Sequence, residues 1–162
     1  MIQAKEGSTA TLAVVEHDHS DAKDGKQRRK SVQEQNTVPR ILANDPTLTV
    51  VDLTFNGTNH QLGFSGMRDL IQALNTSKNT TVTTLLLSGN GIGDRGAKLL
   101  AELLTTNLSL TTLDLGANGI TYSGFKAILA TLRFNYAIQS IKLEDNKVGD
   151  DQLKELDSVL GT

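Results

Sequence analysis

Val82-Thr83-Thr84-Leu85-Leu86-Leu87-Ser88-Gly89-Asn90-Gly91-Ile92 sets a spacing that returns unchanged 28 residues later. The apolar positions and the asparagine are Val82, Leu85, Leu87, Asn90 and Ile92, then Leu110, Leu113, Leu115, Asn118 and Ile120. A third copy reads Ile138, Ile141, Leu143, Asn146 and Val148. An earlier copy, Leu48, Val51, Leu53 and Asn56, stands 34 residues before Val82. Its six extra residues divide into four between Asn56 and Leu62 and two between Leu74 and Asn79. The chain from 48 to 162 is thus read as repeats 48–81, 82–109, 110–137 and 138–162.

Each copy changes period partway along. Leu85 and Leu87 alternate with Thr84, Leu86 and Ser88, the two-residue period of a short strand. Then Ala97, Leu100 and Leu104 fall at helical spacing, as do Phe125, Ile128 and Leu132, and Leu153, Leu156 and Leu160. One strand and one helix cannot bury both apolar faces alone, whereas stacked units can. The prediction is an α/β fold: a short right-handed solenoid, parallel sheet inside and helices outside. Asn90, Asn118 and Asn146 sit where the chain leaves each strand. An asparagine there can satisfy the backbone of the neighbouring turn, so the reading assigns these residues to structure.

The pattern L-x-x-L-x-L-x-x-N-x-L resembles the leucine-rich repeat. With 28 residues per unit and Gly-x-x-Gly-x-x-x-Leu in the second half, residues 48–162 resemble the ribonuclease-inhibitor type. Ala43-Asn44-Asp45-Pro46-Thr47-Leu48, followed by such units and an enlarged first loop, also resembles the start of the tropomodulin C-terminal domain. That family caps the pointed ends of actin filaments. Its helical tropomyosin-binding segments have no counterpart in residues 1–40. These resemblances imply a non-catalytic intracellular protein-protein interaction module with a protein partner, actin or another cytoskeletal protein among the candidates. Alternatives are a structural scaffold in a cytoskeletal or flagellar assembly and a GTPase-activating regulator, since a GTPase-activating family shares this repeat type.

The first 36 residues have another character. All six aromatics of the 162-residue chain lie at position 55 or later, while residues 1–40 hold 13 of the 34 charged residues. Apolar stretches there are short, as in Leu12-Ala13-Val14-Val15. Such a segment buries too little to offset its ordering entropy, so 1–36 is expected to be a disordered charged tail. Residues 37–47 are expected to cap the first repeat, with Ile41 and Leu42 ending a short helix and Pro46 stopping it. The fourth repeat has Gln152 where Gly96 and Gly124 stand earlier, and a polar helix suited to a terminal unit.

Composition removes several functions. There is no cysteine, so thiolate chemistry and disulfides are excluded. Net charge is −2, against the basic balance of a nucleic-acid binder. No apolar run approaches a membrane span, and no leader-like run follows Met1–Glu6, so a cytoplasmic location without membrane insertion is expected. No nucleophile, base and carboxylate converge, so no catalytic site is assigned. Cofactors and metals are likewise expected to be none. Gly91-Ile92-Gly93-Asp94-Arg95-Gly96 is a literal G-x-G-x-x-G, but its counterpart Gly119–Gly124 assigns these glycines to the repeat's turn. His17-Asp18-His19, His60 and the acidic Glu144, Asp145, Asp150 and Asp151 are read as solvated side chains.

Two features point to function. Arg28-Arg29-Lys30-Ser31-Val32 resembles a basic-directed kinase site, with Ser31 as the phosphorylation candidate. On the inner strand face, Leu86 is the large apolar side chain expected to be exposed, beside Asp52 and Asp114, with Lys142 and Glu144 further along. Asp52, Leu86, Asp114, Lys142 and Glu144 are the protein-binding candidates. Four short strands offer only about 250 Å², against roughly 800 Å² per partner in a standard interface, so loops must contribute.

Overall fold

The computed structural model describes residues 32–55, 57 and 61–161. Its elements alternate as expected from the change of period. They are α1 (Val32–Leu42), β1 (Val50–Asp52), α2 (Gly63–Thr76), β2 (Thr84–Leu86), α3 (Gly93–Leu104), β3 (Thr112–Asp114), α4 (Tyr122–Leu132), β4 (Ser140–Lys142) and α5 (Asp150–Leu160). The strands form one parallel sheet in chain order. This is the leucine-rich repeat solenoid. Each strand turns its alternate leucines inward, and each helix turns its apolar stripe back onto them. Leu85, Leu87, Leu113, Leu115, Leu100, Phe125 and Ile128 are completely buried between the layers.

The repeats are joined at the end of each strand by asparagine side chains. The Asn118 amide donates to the carbonyls of Leu87 (2.9 Å) and Leu115 (2.9 Å), and its Oδ1 accepts from the Asn90 N–H (2.9 Å). Asn90 bonds Leu53 and Leu87 in the same way, and Asn146 bonds Leu115 and Leu143. Each amide therefore ties its own turn to the one before, as the sequence pattern predicts.

A second ladder runs along the opposite edge, where helices return to strands. Asn107 Nδ2 donates to the Asn79 carbonyl (3.3 Å), and Asn135 Nδ2 to that of Asn107 (3.0 Å). Their Oδ1 atoms accept from Leu110 and Ile138 N–H groups. All three asparagines are buried. Their 28-residue spacing was present in the sequence, but no role had been attached to it.

The N-terminal cap departs from expectation at its boundary. Helix α1 begins at Val32, so residues 32–36, expected in the tail, belong to the capping helix. The reason is packing at its far end. Ile41 is fully buried against the first repeat, its carbonyl accepts from Asn79, and Asn44 reaches Ser77 (2.9 Å). Leu42, expected to share this work, is half exposed. Asp45 closes the cap: the Thr47 hydroxyl, then the Arg40 guanidinium and the Thr47 N–H, hold its carboxyl at about 2. Residues 1–31, and with them His17-Asp18-His19, Arg28–Lys30 and Ser31, lie outside the described residues, as does His60.

Truncating an interior ladder asparagine strands several buried backbone groups at once. Asn118→Ala is expected to destabilise by about 2–4 kcal/mol. Asn146→Ala, at the half-buried last rung, should cost measurably less. Urea midpoints of the two variants check the order.

Candidate protein-binding surface

The sheet register places Asp52, Leu86, Asp114 and Lys142 side by side across all four strands. The row predicted from sequence therefore exists. Its chemistry is quieter than expected. Asp52 Oδ1 accepts from Thr54 N–H (3.0 Å) and Asp114 Oδ1 from Gly116 N–H (3.0 Å), so each carboxylate braces its own turn. Leu86 is not the exposed apolar residue of this face. It lies on an inner strand between neighbouring side chains and is half-buried, whereas Val50 on the edge strand is 43% exposed. Lys142 and Glu144 are exposed. The Glu144 carbonyl accepts from Ala117 N–H (2.9 Å), so its place in the turn is fixed while its carboxylate is free to face solvent.

Exposed apolar area is concentrated elsewhere. Leu108 is 70% exposed, Phe134 80% and Tyr136 88%. Leu108 and Tyr136 occupy equivalent positions, 28 residues apart, in the α3–β3 and α4–β4 loops. Each stands next to a buried ladder asparagine, Asn107 or Asn135, so the loop backbones beneath them are pinned. None of the three is needed to fill the core. Large apolar side chains presented on rigid loops are the form that interface anchors take. The available signal was the pair of aromatics flanking Asn135 at a position where repeat 1 carries Lys78 and Thr80.

The glycine-rich turn is structural. Gly91 and Gly93 have φ of 60° and 57°, a region costly for other residues. The Gly93 N–H that a phosphate would need already donates to the Asn118 carbonyl (3.0 Å). Asp94 has a definite task. Its Oδ1 accepts from the N–H groups of Thr121 (2.7 Å) and Gly124 (3.1 Å), and its Oδ2 from the Thr121 hydroxyl (2.7 Å). A side chain of α3 thus caps the start of α4. Nearby, Arg95 stacks on Phe64, 4.0 Å from the ring centre. Among the described residues, no group of three or more His, Cys, Asp or Glu is placed to hold a metal ion. No helix there is long and apolar enough to cross a membrane.

The fold and its exposed loop anchors define a short leucine-rich repeat domain of the protein-binding class. The family is more specific: residues 30–160 match the TMOD/LMOD leucine-rich domain, and the chain belongs to that family. Among solved structures, it is similar to one titled "Leiomodin-1 Actin-Binding Site 2 (ABS2)". Identity is 24%, TM-score 0.63, with 75% of this chain and 69% of that one covered. It is also similar to a tropomodulin C-terminal domain from Caenorhabditis elegans at 13% identity and TM-score 0.49, covering 79% and 91%. No curated protein sequence matches the chain.

Partial burial pushes the Asp94 carboxyl up, but the Thr121 hydroxyl, the Thr121 and Gly124 N–H groups and Lys98 outweigh it and hold the group below its ordinary value. A depressed carboxylate stabilises the fold above its unfolded pKa and loses that contribution as pH falls through its folded one. Asp94→Ala should cost roughly 1–2 kcal/mol at pH 7. The cost should shrink below about pH 4. Urea midpoints of parent and variant at pH 7 and pH 3 measure this.

Proposed function

We propose that the chain is a non-catalytic, cytoplasmic actin-binding module that acts at filament pointed ends, built from repeats of the ribonuclease-inhibitor type. The observation that carries the reading is family membership over residues 30–160. The similar solved domain whose title names an actin-binding site is consistent with it, and its likeness supports the shared fold. Leu108, Phe134 and Tyr136 supply the anchors. Asp52, Leu86, Asp114, Lys142 and Glu144 supply a flanking, mainly charged surface on the inner face. Neither set alone reaches the area of a standard interface.

Ser31 offers a point of control. It lies outside the described residues but immediately precedes Val32, the first residue of α1. A phosphate there adds roughly −1.5 to −2 charges beside a helix N-terminus, which favours negative charge. The reading is that phosphorylation firms the capping helix rather than the repeats.

Elongation from barbed-end-capped actin seeds tests the proposal. Micromolar protein should slow pointed-end growth. The double variant Phe134→Ser/Tyr136→Ser should weaken this by about tenfold or more, with the fold intact by circular dichroism. Leu86→Arg reports on the inner face separately. Unchanged elongation with the parent protein removes the capping reading, and co-sedimentation without an effect on growth would favour a scaffold instead. A cyclic-nucleotide-dependent kinase should label Ser31 stoichiometrically; no labelling of the intact chain removes that control point.

A further inference from the structure

The last repeat presents a sheet edge that its predecessors cover. Leu87 N–H donates to the Asp114 carbonyl (2.8 Å), and Leu115 N–H to that of Lys142 (2.9 Å). Gly89 donates to Gly116 and Ala117 to Glu144, both at 2.9 Å. The equivalent donors in the fourth repeat belong to Leu143 and Asp145, and no carbonyl among the described residues takes them. The apolar layer behind this edge is also open. Ile141, Val148, Leu153 and Leu160 are only partly buried, whereas their counterparts Leu113, Ile120, Phe125 and Leu132 are buried.

The chain carries a segment with the missing pattern. Thr11-Leu12-Ala13-Val14 repeats the order of Thr84-Leu85-Leu86-Leu87 and Thr112-Leu113-Asp114-Leu115. Residues 7–15 hold no charge. The topology suits a return to the far end. Strands finish, and helices begin, at the same edge of the solenoid. Helix α1 follows this rule, since Asn79 and Thr80 beyond the end of α2 bond Ile41 and Asn44 at the end of α1. A segment paired parallel to β4 therefore leaves at the edge where Val32 starts α1. The sixteen intervening residues, 16–31, span at most ~53 Å. Four helix-to-helix steps of about 8–10 Å amount to less than this.

We propose that residues 11–14 of this same chain add a fifth parallel strand to β4, with Leu12 beside Ile141 and Val14 beside Leu143. The chain thereby closes its own exposed end. Strand addition supplies carbonyls to the unpaired N–H groups and covers the open apolar layer, the two things that end lacks. This goes beyond the actin reading and does not rest on it.

The absence of cysteine allows a direct test. Neighbouring strands lie about 4.8 Å apart, within disulfide range. Under mild oxidation, Ala13→Cys/Lys142→Cys should form an intramolecular bond at least about tenfold faster than Ala13→Cys/Asp52→Cys, the control on the opposite edge strand. Comparable rates overturn the proposal. So do cross-linked dimers, which would place a second copy on the edge. Hydrogen exchange on the intact chain is independent of these variants. Leu143 and Asp145 amides should be protected, and Leu12→Asp should speed their exchange by about tenfold or more. Rates indifferent to Leu12→Asp overturn it.

Discussion

The carboxamide of Asn118 joins two repeats and serves three polar needs at once, and the rest of the solenoid depends on bonds of this kind. A strand that ends in the core must turn, and turning orphans carbonyl and N–H groups in a place water does not reach. Asn118 donates to carbonyls of its own turn and of the preceding one, and accepts an N–H from the preceding repeat. Aspartate lacks the donor and leucine lacks both functions, so neither replaces it. Because the bonds connect equivalent positions, they fix the 28-residue step as well as the turn. A mis-registered repeat would lose leucine packing and amide bonding together.

This is why the fold was legible. Leu85 and Leu87, Asn90, and the helical trio Ala97, Leu100 and Leu104 carry one consistent message in successive copies. The same repetition hid part of the structure. Asn79, Asn107 and Asn135 keep the spacing but sit in loops, where asparagine is common for local reasons, so their ladder was not recognised. The start of α1 was placed too late because its polar first turns resemble tail; the packing that anchors it comes from Ile41, nearly three turns further on.

The candidate site was less legible for a physical reason. Alternation gives the direction of a strand side chain but not how much of it its neighbours cover. Leu86 faces outward as expected, yet an inner strand position leaves it half-buried. Phe134 and Tyr136 have no periodic partner that marks them as surface. Only the loop geometry, with Asn135 buried between two aromatics, shows that they point away from the core. In a solenoid the repeating residues specify architecture, and departures from the repeat are the better guide to partners.

The two ends of the stack differ, and the difference bears on how the surface works. At the N-terminal end α1 covers the first repeat, and Asn44, Asp45 and Asn79 complete the hydrogen bonding. At the C-terminal end, Leu156 is the buried residue of α5, and its other apolar residues are part exposed. Stability in repeat arrays is close to a sum of unit and nearest-neighbour terms, so opening should begin in the last repeat and propagate inward. Leu108 and Tyr136 stand on loops tied to interior repeats by the second ladder. They are therefore held in a fixed arrangement even while α5 opens. An anchor on the last repeat would have to be ordered on binding and would bind more weakly for it. The position of the exposed aromatics, one repeat in from the open end, is where a rigid contact is available without a further cap.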